Sequence, residues 1–240
     1  VEWLSLPQGT RPDLVTLYFS AVDSAGHTFG PESKETRAAI AEIDEQIATL
    51  WRSIESLNVN ADAQISLLLL SDHGMAEVAP ATFIDTNDLP RPQGFKRMNG
   101  STRVTYYQRD PEADLAALAS ELNELADGRF WRVTPDTLAE RHFVDHPAVG
   151  QIIVETAPPR VFRHGGGTRA DLRGMHGYPD DVEDMAAFLV AVGPGFHSGL
   201  VIPEAHQLDV YPVAARLLAL KAPVDLASDG GHLVRALREQ

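Results

Sequence analysis

The feature that most constrains the fold is a pair of short apolar runs, each followed by polar residues, on either side of one amphipathic segment. Residues 13–21 and 65–70 are rich in β-forming side chains and predict two buried strands. Between them, residues 32–57 repeat apolar side chains at three- and four-residue steps, which predicts an amphipathic helix. A strand, a helix and a strand in this order are typical of a right-handed crossover unit in a parallel sheet.

Side chains able to bind a metal follow both predicted strands. Asp23 and His27 come after the first strand, and Asp72 and His73 come after the second. Because open α/β sheets bind ligands at the carboxyl ends of their strands, we expect these side chains at one edge of the sheet. The four-residue spacing of Asp23 and His27 places both on one side of a helical turn. Asp72 and His73 are neighbours, and only an irregular turn, which Gly74 permits, would let them converge.

A further histidine, His176, lies between Gly174 and Gly177, which let the backbone approach another element closely. Each pattern alone has an ordinary explanation, since Asp-x-x-x-His is usually a surface pair or a helix cap, and Asp-His-Gly is usually a turn. The coincidence of two clusters at predicted strand ends favours a metal site. Six other histidines lack a partner pattern, and we expect them at the surface or in loops: His142, His146, His164, His197, His206 and His232.

The middle of the chain predicts a small lobe inserted into the main domain. Its predicted elements are a strand over residues 102–107, a helix over residues 111–126 and a strand over residues 151–156. An apolar strand over residues 185–192 and a helix over residues 208–220 then predict a return to the core. We therefore divide the chain into core (1–82), inserted mixed lobe (83–174) and return to the core (175–240).

The composition limits which partners and which metal ligands are possible. The 34 acidic and 20 basic residues give a formal charge of −14, which disfavours a nucleic-acid-binding surface because such surfaces are basic. No cysteine is present, so any metal must be held by histidine nitrogen and carboxylate oxygen. No apolar run approaches the ~20 residues that span a bilayer, so we expect no transmembrane segment.

Three motifs in this order resemble those of the type I phosphodiesterase/nucleotide pyrophosphatase family, in the alkaline phosphatase superfamily. They are DSAGHTFGP from Asp23, SDHGM from Ser71 and HGYP from His176, followed by Gly193-Pro194-Gly195-Phe196. The resemblance covers the chain from about Trp3 to Leu220. It implies an alkaline-phosphatase-like α/β fold, with a mostly parallel sheet flanked by helices, a small inserted lobe, and amino-terminal strands outside this chain.

The resemblance also implies the roles of the metal ligands. Asp23, His27 and His176 would hold one zinc ion, and Asp72 and His73 would help to hold a second. The implied reaction is hydrolysis of a phosphodiester or pyrophosphate bond in a nucleotide or a related small molecule. The family's threonine nucleophile, a further aspartate and an asparagine precede the segment that matches Val1. We therefore assign no catalytic residue within this chain, expect a missing amino-terminal segment of the same protein as partner, and expect the isolated chain to be inactive.

Tyr18 holds the position of an aromatic residue that stacks on the nucleobase in the family, five residues before the first ligand. A core tyrosine within an apolar strand is the alternative. The resemblance further implies a periplasmic or secreted location. Two other functions stay open: a phosphomonoesterase, phosphonate hydrolase or mutase of the same superfamily, and a metal-binding fragment without turnover.

Overall fold

A computed structural model describes residues 1–61, 63–143, 146, 148–164 and 172–238. The α-helices are α1 (Ala21–Phe29), α2 (Lys34–Ala61), α3 (Leu115–Ala126), α4 (Pro135–Glu140) and α5 (Val210–Leu217). The strands are β1 (Leu67–Leu70), β2 (Ala76–Glu77), β3 (Ile84–Asp85), β4 (Phe95–Asn99), β5 (Arg103–Gln108), β6 (Trp131–Arg132), β7 (Ile152–Glu155), β8 (Phe162–Arg163), β9 (Gly174–Met175) and β10 (Leu189–Val192). None of the described helices is long and apolar enough to cross a membrane.

The chain divides into two compact units. The first contains residues 1–19, 41–72 and 187–240, and the second contains residues 20–40 and 73–186. These boundaries come from the packing of the chain. The division predicted from the sequence, into residues 1–82, 83–174 and 175–240, stays a prediction.

In the first unit, β1 pairs with β10 in an antiparallel ladder that runs from Leu67 opposite Val192 to Leu70 opposite Leu189. A small core lies beside this ladder, where Phe196, Val213 and Leu233 are buried. The helix predicted over residues 208–220 is present as α5, preceded by a 3₁₀ turn over Gln207–Asp209. Val213 of α5 thus belongs to the same core as Leu68 of β1 and Leu189 of β10, which pack against it.

In the second unit, four strands form an antiparallel sheet in the order β4-β5-β7-β6. Leu118 and Leu122 of α3 belong to the buried cluster that includes Val104 and Val154 of this sheet. Burying these side chains removes apolar area from water and is the main term that holds helix and sheet together. The side chain of Asp114 begins α3 by accepting a hydrogen bond from the Ala117 N–H, 2.9 Å away.

The long helix predicted over residues 32–57 is confirmed as α2, and it begins slightly later than predicted. Ser33 precedes the helix, and its hydroxyl oxygen accepts a hydrogen bond from the Thr36 N–H at 3.1 Å. This satisfies one of the unpaired N–H groups of the first turn, so the helix begins at Lys34. Four of the predicted strands, over residues 65–70, 102–107, 151–156 and 185–192, are also present, as β1, β5, β7 and β10.

The predicted strand over residues 13–21 does not form. Residues 14–20 have no regular secondary structure, and the side chains of Leu14, Leu17 and Tyr18 are exposed. A strand needs a neighbour for its backbone N–H and C=O groups, and no described residue pairs with this stretch. The α-helix α1 begins directly afterwards, at Ala21.

The predicted mostly parallel sheet is not confirmed. Of the six strand pairs among the described residues, only β3 with β8 is parallel. The strand β1 has β10 beside it, in antiparallel orientation, and is not paired with the segment before α1. The right-handed strand–helix–strand crossover predicted from residues 13–21, 32–57 and 65–70 is therefore absent from these described residues. The coarser prediction, a mixed α/β architecture, agrees with the structure.

Candidate metal centre

The first two candidate ligands lie on one short helix of the second unit. Asp23 is in the first turn of α1 and His27 is in its last turn. Residues four apart lie on the same face of an α-helix, so the two side chains point to the same side. Nε2 of His27 is 3.5 Å from Oδ1 of Asp23. The spacing seen in the sequence therefore places a carboxylate and an imidazole next to each other.

The third candidate, His176, directly follows β9, which runs past α1. The His27 Nδ1–H donates a hydrogen bond to the carbonyl oxygen of Gly174, 2.8 Å away. The approach is close enough that a Cβ atom on residue 174 would collide with the backbone oxygen of Gly26 and lie 3.0 Å from Sδ of Met75. Only glycine fits here. The short strand β9 therefore brings His176 to α1 and also fixes the orientation of the His27 ring.

Asp23, His27 and His176 form a compact cluster of ligand atoms. Oδ1 of Asp23 is 3.7 Å from Nε2 of His176, and the three ligand atoms all lie within 4.8 Å of one another. Ligands on a tetrahedral zinc ion, with bonds of ~2 Å, are about 3.3 Å apart. The cluster thus has nearly the spacing that a bound ion requires, with small adjustments of the side chains.

Hydrogen bonding in the cluster also fits a cation. Oδ1 of Asp23 is buried and has no hydrogen-bond partner among the described residues. A buried carboxylate oxygen without a donor is costly, and a metal ion would supply the missing positive charge. Because Nδ1 of His27 carries the hydrogen that it donates to Gly174, Nε2 has the lone pair needed for coordination. The donor set of one carboxylate and two imidazoles suits zinc.

His73 lies beside this cluster. Its ring stacks on the ring of His176 with centroids 3.6 Å apart and an angle of 13° between the planes. The His73 Nδ1–H donates to the carbonyl oxygen of Gly74 at 2.9 Å, which leaves a lone pair on Nε2. The Gly74 N–H donates to the carbonyl oxygen of Met185, so this turn is tied to the chain that follows His176.

Asp72 and Tyr18, the other two predicted site residues, belong to the first compact unit. Asp72 follows β1, has an exposed side chain, and accepts a hydrogen bond on its backbone oxygen from the Gln207 amide at 3.0 Å. The side chain of Tyr18 is 75% exposed, which does not support the alternative of a core tyrosine. The pairing of Asp72 with His73 and the stacking role of Tyr18 stay predictions.

The sequence did not point to the residues that fix the backbone after His176. The Thr102 hydroxyl donates to the carbonyl oxygen of Gly177 at 2.6 Å. The Tyr178 hydroxyl donates to the carbonyl oxygen of Arg160 at 2.7 Å, and burial raises the pKa of this tyrosine. Gly177 and Tyr178 belong to the HGYP motif, but nothing in the sequence indicates that Thr102 and Arg160 are their partners. They hold the turn that carries His176 in place.

Comparison with known proteins agrees with these observations. Residues 1–179 match the model of a family described as type I phosphodiesterase / nucleotide pyrophosphatase. A venom phosphodiesterase of Macrovipera lebetinus is 26% identical over 259 residues, which cover 98% of this chain and 28% of that protein. A mouse protein, ectonucleotide pyrophosphatase/phosphodiesterase family member 1 of Mus musculus, is 27% identical over 244 residues, 97% of this chain and 26% of its own length. The chain therefore spans about a quarter of the length of these relatives.

Proposed function

The chain belongs to the type I phosphodiesterase / nucleotide pyrophosphatase family, and we propose that it supplies a zinc centre for hydrolysis of phosphodiester or pyrophosphate bonds. The proposal extends to nucleotides as the substrate class, as the names of the relatives suggest. Membership of the family also supports an alkaline-phosphatase-like architecture, with an inserted lobe at residues 83–174.

The observation that carries the proposal is the cluster of Asp23, His27 and His176. Its ligand atoms come from a helix and from the end of a strand. His27 and His176, from two of the motifs, are about 150 residues apart in the sequence. The hydrogen bond from His27 to Gly174 selects the tautomer that can coordinate a cation. Three protein ligands with an open position are typical of catalytic zinc sites, whereas structural sites use four.

A second ion is part of the proposal. Asp72 and His73 would contribute to holding it, and the stacking of His73 on His176 supports a position beside the first cluster. Together with the first cluster, these residues would hold two cations whose positive charge, when they are bound, would stabilise the charged oxygens of an in-line displacement. We assign the nucleophile to a threonine outside this chain, together with a further aspartate and an asparagine. The contribution of these 240 residues is then to hold the ions and to orient the substrate.

Two finer assignments follow from the same family membership. Tyr18 would stack on the nucleobase of the substrate, and its exposed ring supports this role. The enzyme would be periplasmic or secreted, in line with the words "venom" and "ectonucleotide" in the names of its relatives. A formal charge of −14 supports a small-molecule substrate over a nucleic-acid strand.

The experiment is a comparison of diester and monoester hydrolysis by the longer protein that contains this chain. A nucleoside phosphodiester should be cleaved with a much higher kcat/KM than a nucleoside monophosphate. His27→Gln should lower kcat/KM for the diester at least ~100-fold, because loss of outer-shell partners alone costs ~10–100-fold. His197→Gln is the matched control, since His197 is exposed and lies outside the cluster. Faster cleavage of the monoester would favour a phosphomonoesterase of the same superfamily.

A second candidate function is metal binding without turnover, for which the cluster of Asp23, His27 and His176 would be sufficient. We expect the isolated 240 residues to bind zinc and to be nearly inactive, because the covalent route needs the threonine. Addition of the preceding segment should restore diester hydrolysis. Full turnover by the isolated chain would mean that a nucleophile lies within it, and zinc binding that never leads to turnover in the longer protein would favour the second candidate.

A further inference from the structure

A cleft of about 440 Å³ opens in the second unit beside β4, and its lining is basic. The eight lining residues include three cations, Arg91, Lys96 and Arg97, and no acidic residue. The whole chain has more acidic residues (34) than basic residues (20), so a cleft lined by cations alone differs from the chain's average charge. A concave surface with one sign of charge focuses the electrostatic potential and attracts ions of the opposite sign.

The three cations of the cleft form no ion pair within the described part of the chain. The ion pairs formed by the described residues involve other arginines and lysines, and none of them includes Arg91, Lys96 or Arg97. Arg91 and Lys96 are exposed, so their side chains can reach a solute without unfolding the lobe. Both are positioned to contact an anion directly.

Arg97 contributes a charge that is fixed in place. Its Nη1 donates hydrogen bonds to the carbonyl oxygens of Leu89, at 2.8 Å, and Pro90, at 3.4 Å. Its Nη2 is buried and has no hydrogen-bond partner among the described residues. A guanidinium stays protonated under all ordinary conditions. The floor of the cleft therefore holds a permanent positive charge in a partly desolvated position, where it acts more strongly than in water.

Polar groups on the rim of the cleft add hydrogen-bond donors. The hydroxyl oxygen of Thr86, which is fully buried, lies 3.3 Å from Nδ1 of His164 and accepts a hydrogen bond from the Asn99 amide at 3.4 Å. When the Thr86 hydroxyl donates to Nδ1 of His164, the ring hydrogen is on Nε2, which becomes a donor. Phe95 and Pro92 supply an apolar wall beside these polar groups. Cations, neutral donors and an apolar wall together suit an organic anion.

We propose that this basic cleft, lined by Arg91, Lys96, Arg97, Asn99 and His164, is a binding site for a small molecule that carries a phosphate or carboxylate group. It is built from residues outside the metal cluster of Asp23, His27 and His176. The inference therefore does not depend on the reaction proposed above. Charge-assisted hydrogen bonds from Arg91 and Lys96 would hold the anionic group, while Phe95 would contact the remainder of the ligand.

The test is a titration of the isotope-labelled chain, followed by nuclear magnetic resonance, with inorganic phosphate in one arm and citrate in the other. Passage over a chelating resin removes divalent cations before the titration, so neither probe can bind through the metal cluster. We expect saturable shifts of the Phe95, Lys96, Asn99 and His164 amides at millimolar probe. The arm with the tighter binding identifies the chemistry of the ligand, phosphate or carboxylate.

Two charge-matched double variants make the test specific. Arg91→Gln with Lys96→Gln removes two cations of the cleft, whereas Lys34→Gln with Arg109→Gln removes two exposed cations elsewhere on the same unit. We expect the first pair to weaken binding of the preferred probe at least ~5-fold, and the second pair to change it less than ~2-fold. All four side chains are exposed, so thermal unfolding should be unchanged in both. Equal losses in the two pairs, or no saturable shifts at the cleft in the unaltered chain, would overturn the proposal.

Discussion

Replacing Gly174 by alanine tests how the metal cluster is assembled. The added methyl group would collide with the backbone oxygen of Gly26 and lie 3.0 Å from Sδ of Met75. The backbone of Gly26 belongs to α1, so the strand β9 must move away from that helix. Overpacking of this kind costs ~1–3 kcal/mol of folding free energy. The movement would also lengthen the 2.8 Å hydrogen bond from His27 to Gly174, which contributes about 1 kcal/mol.

Gly174→Ala should affect zinc affinity more than it affects the stability of the fold. Loss of an outer-shell hydrogen bond to a ligand histidine lowers metal affinity ~10–100-fold, so we expect Gly174→Ala to weaken zinc binding by this factor. Competition with a chromophoric chelator measures the affinity, and thermal unfolding of the metal-free chain measures the stability. Gly9→Ala is the matched control, because a Cβ atom there meets nothing within 4 Å. Zinc affinity in Gly174→Ala equal to that of the unaltered chain would refute the assembly described here.

Three further predictions concern other parts of the molecule. Glu155→Leu should lower the free energy of unfolding in urea by ~3–5 kcal/mol, because it removes the carboxylate that pairs with Arg103 and Arg141 at a site that is 2% exposed. Glu77→Leu, at an exposed strand position, should change it by less than ~1 kcal/mol. Burial would raise the pKa of Asp209, but hydrogen bonds from a serine hydroxyl and a backbone N–H outweigh it and lower the pKa. Asp209 therefore stabilises the fold above its unfolded pKa of ~3.9, and its advantage over Asp209→Asn should shrink as the pH falls through the folded pKa; Asp225→Asn, at an exposed position, is the control. In the longer protein, Tyr18→Ala should raise KM for a nucleotide diester much more than for a small artificial diester, and equal effects on both would remove its stacking role.

The ligand residues could be predicted from the sequence because their motifs are short and local. The four-residue step from Asp23 to His27 fixes their common face on α1 without reference to the remainder of the chain. The contact that orients His27, in contrast, joins it to Gly174 across 147 positions. Nothing in the spacing indicates that the two-residue strand β9 lies against α1. Glycines on both sides of His176 were the only sign of a close approach.

Local sequence likewise predicted which segments could form strands, but not which of them would find a partner. Apolar β-forming residues predicted both the segment that becomes β1 and residues 13–21, but only the first finds a partner, β10. Pairing depends on a second segment, and composition does not reveal whether one is present. Composition also does not show whether two strands run parallel or antiparallel. We expected β1 and β10 in a parallel sheet, but they form an antiparallel pair. The basic cleft was not predicted either, because its residues come from separate turns and strands.

Zinc binding by Asp23, His27 and His176 is tested most directly by an anomalous difference map from zinc-soaked crystals, recorded at the zinc absorption edge. We expect a strong peak about 2 Å from Oδ1 of Asp23, Nε2 of His27 and Nε2 of His176, with the His27 ring turned as its hydrogen bond to Gly174 requires. A map whose zinc peaks all lie away from these three atoms would contradict this assignment. So would well-ordered density that placed the three side chains more than ~8 Å apart, since no single ion could then bind them all.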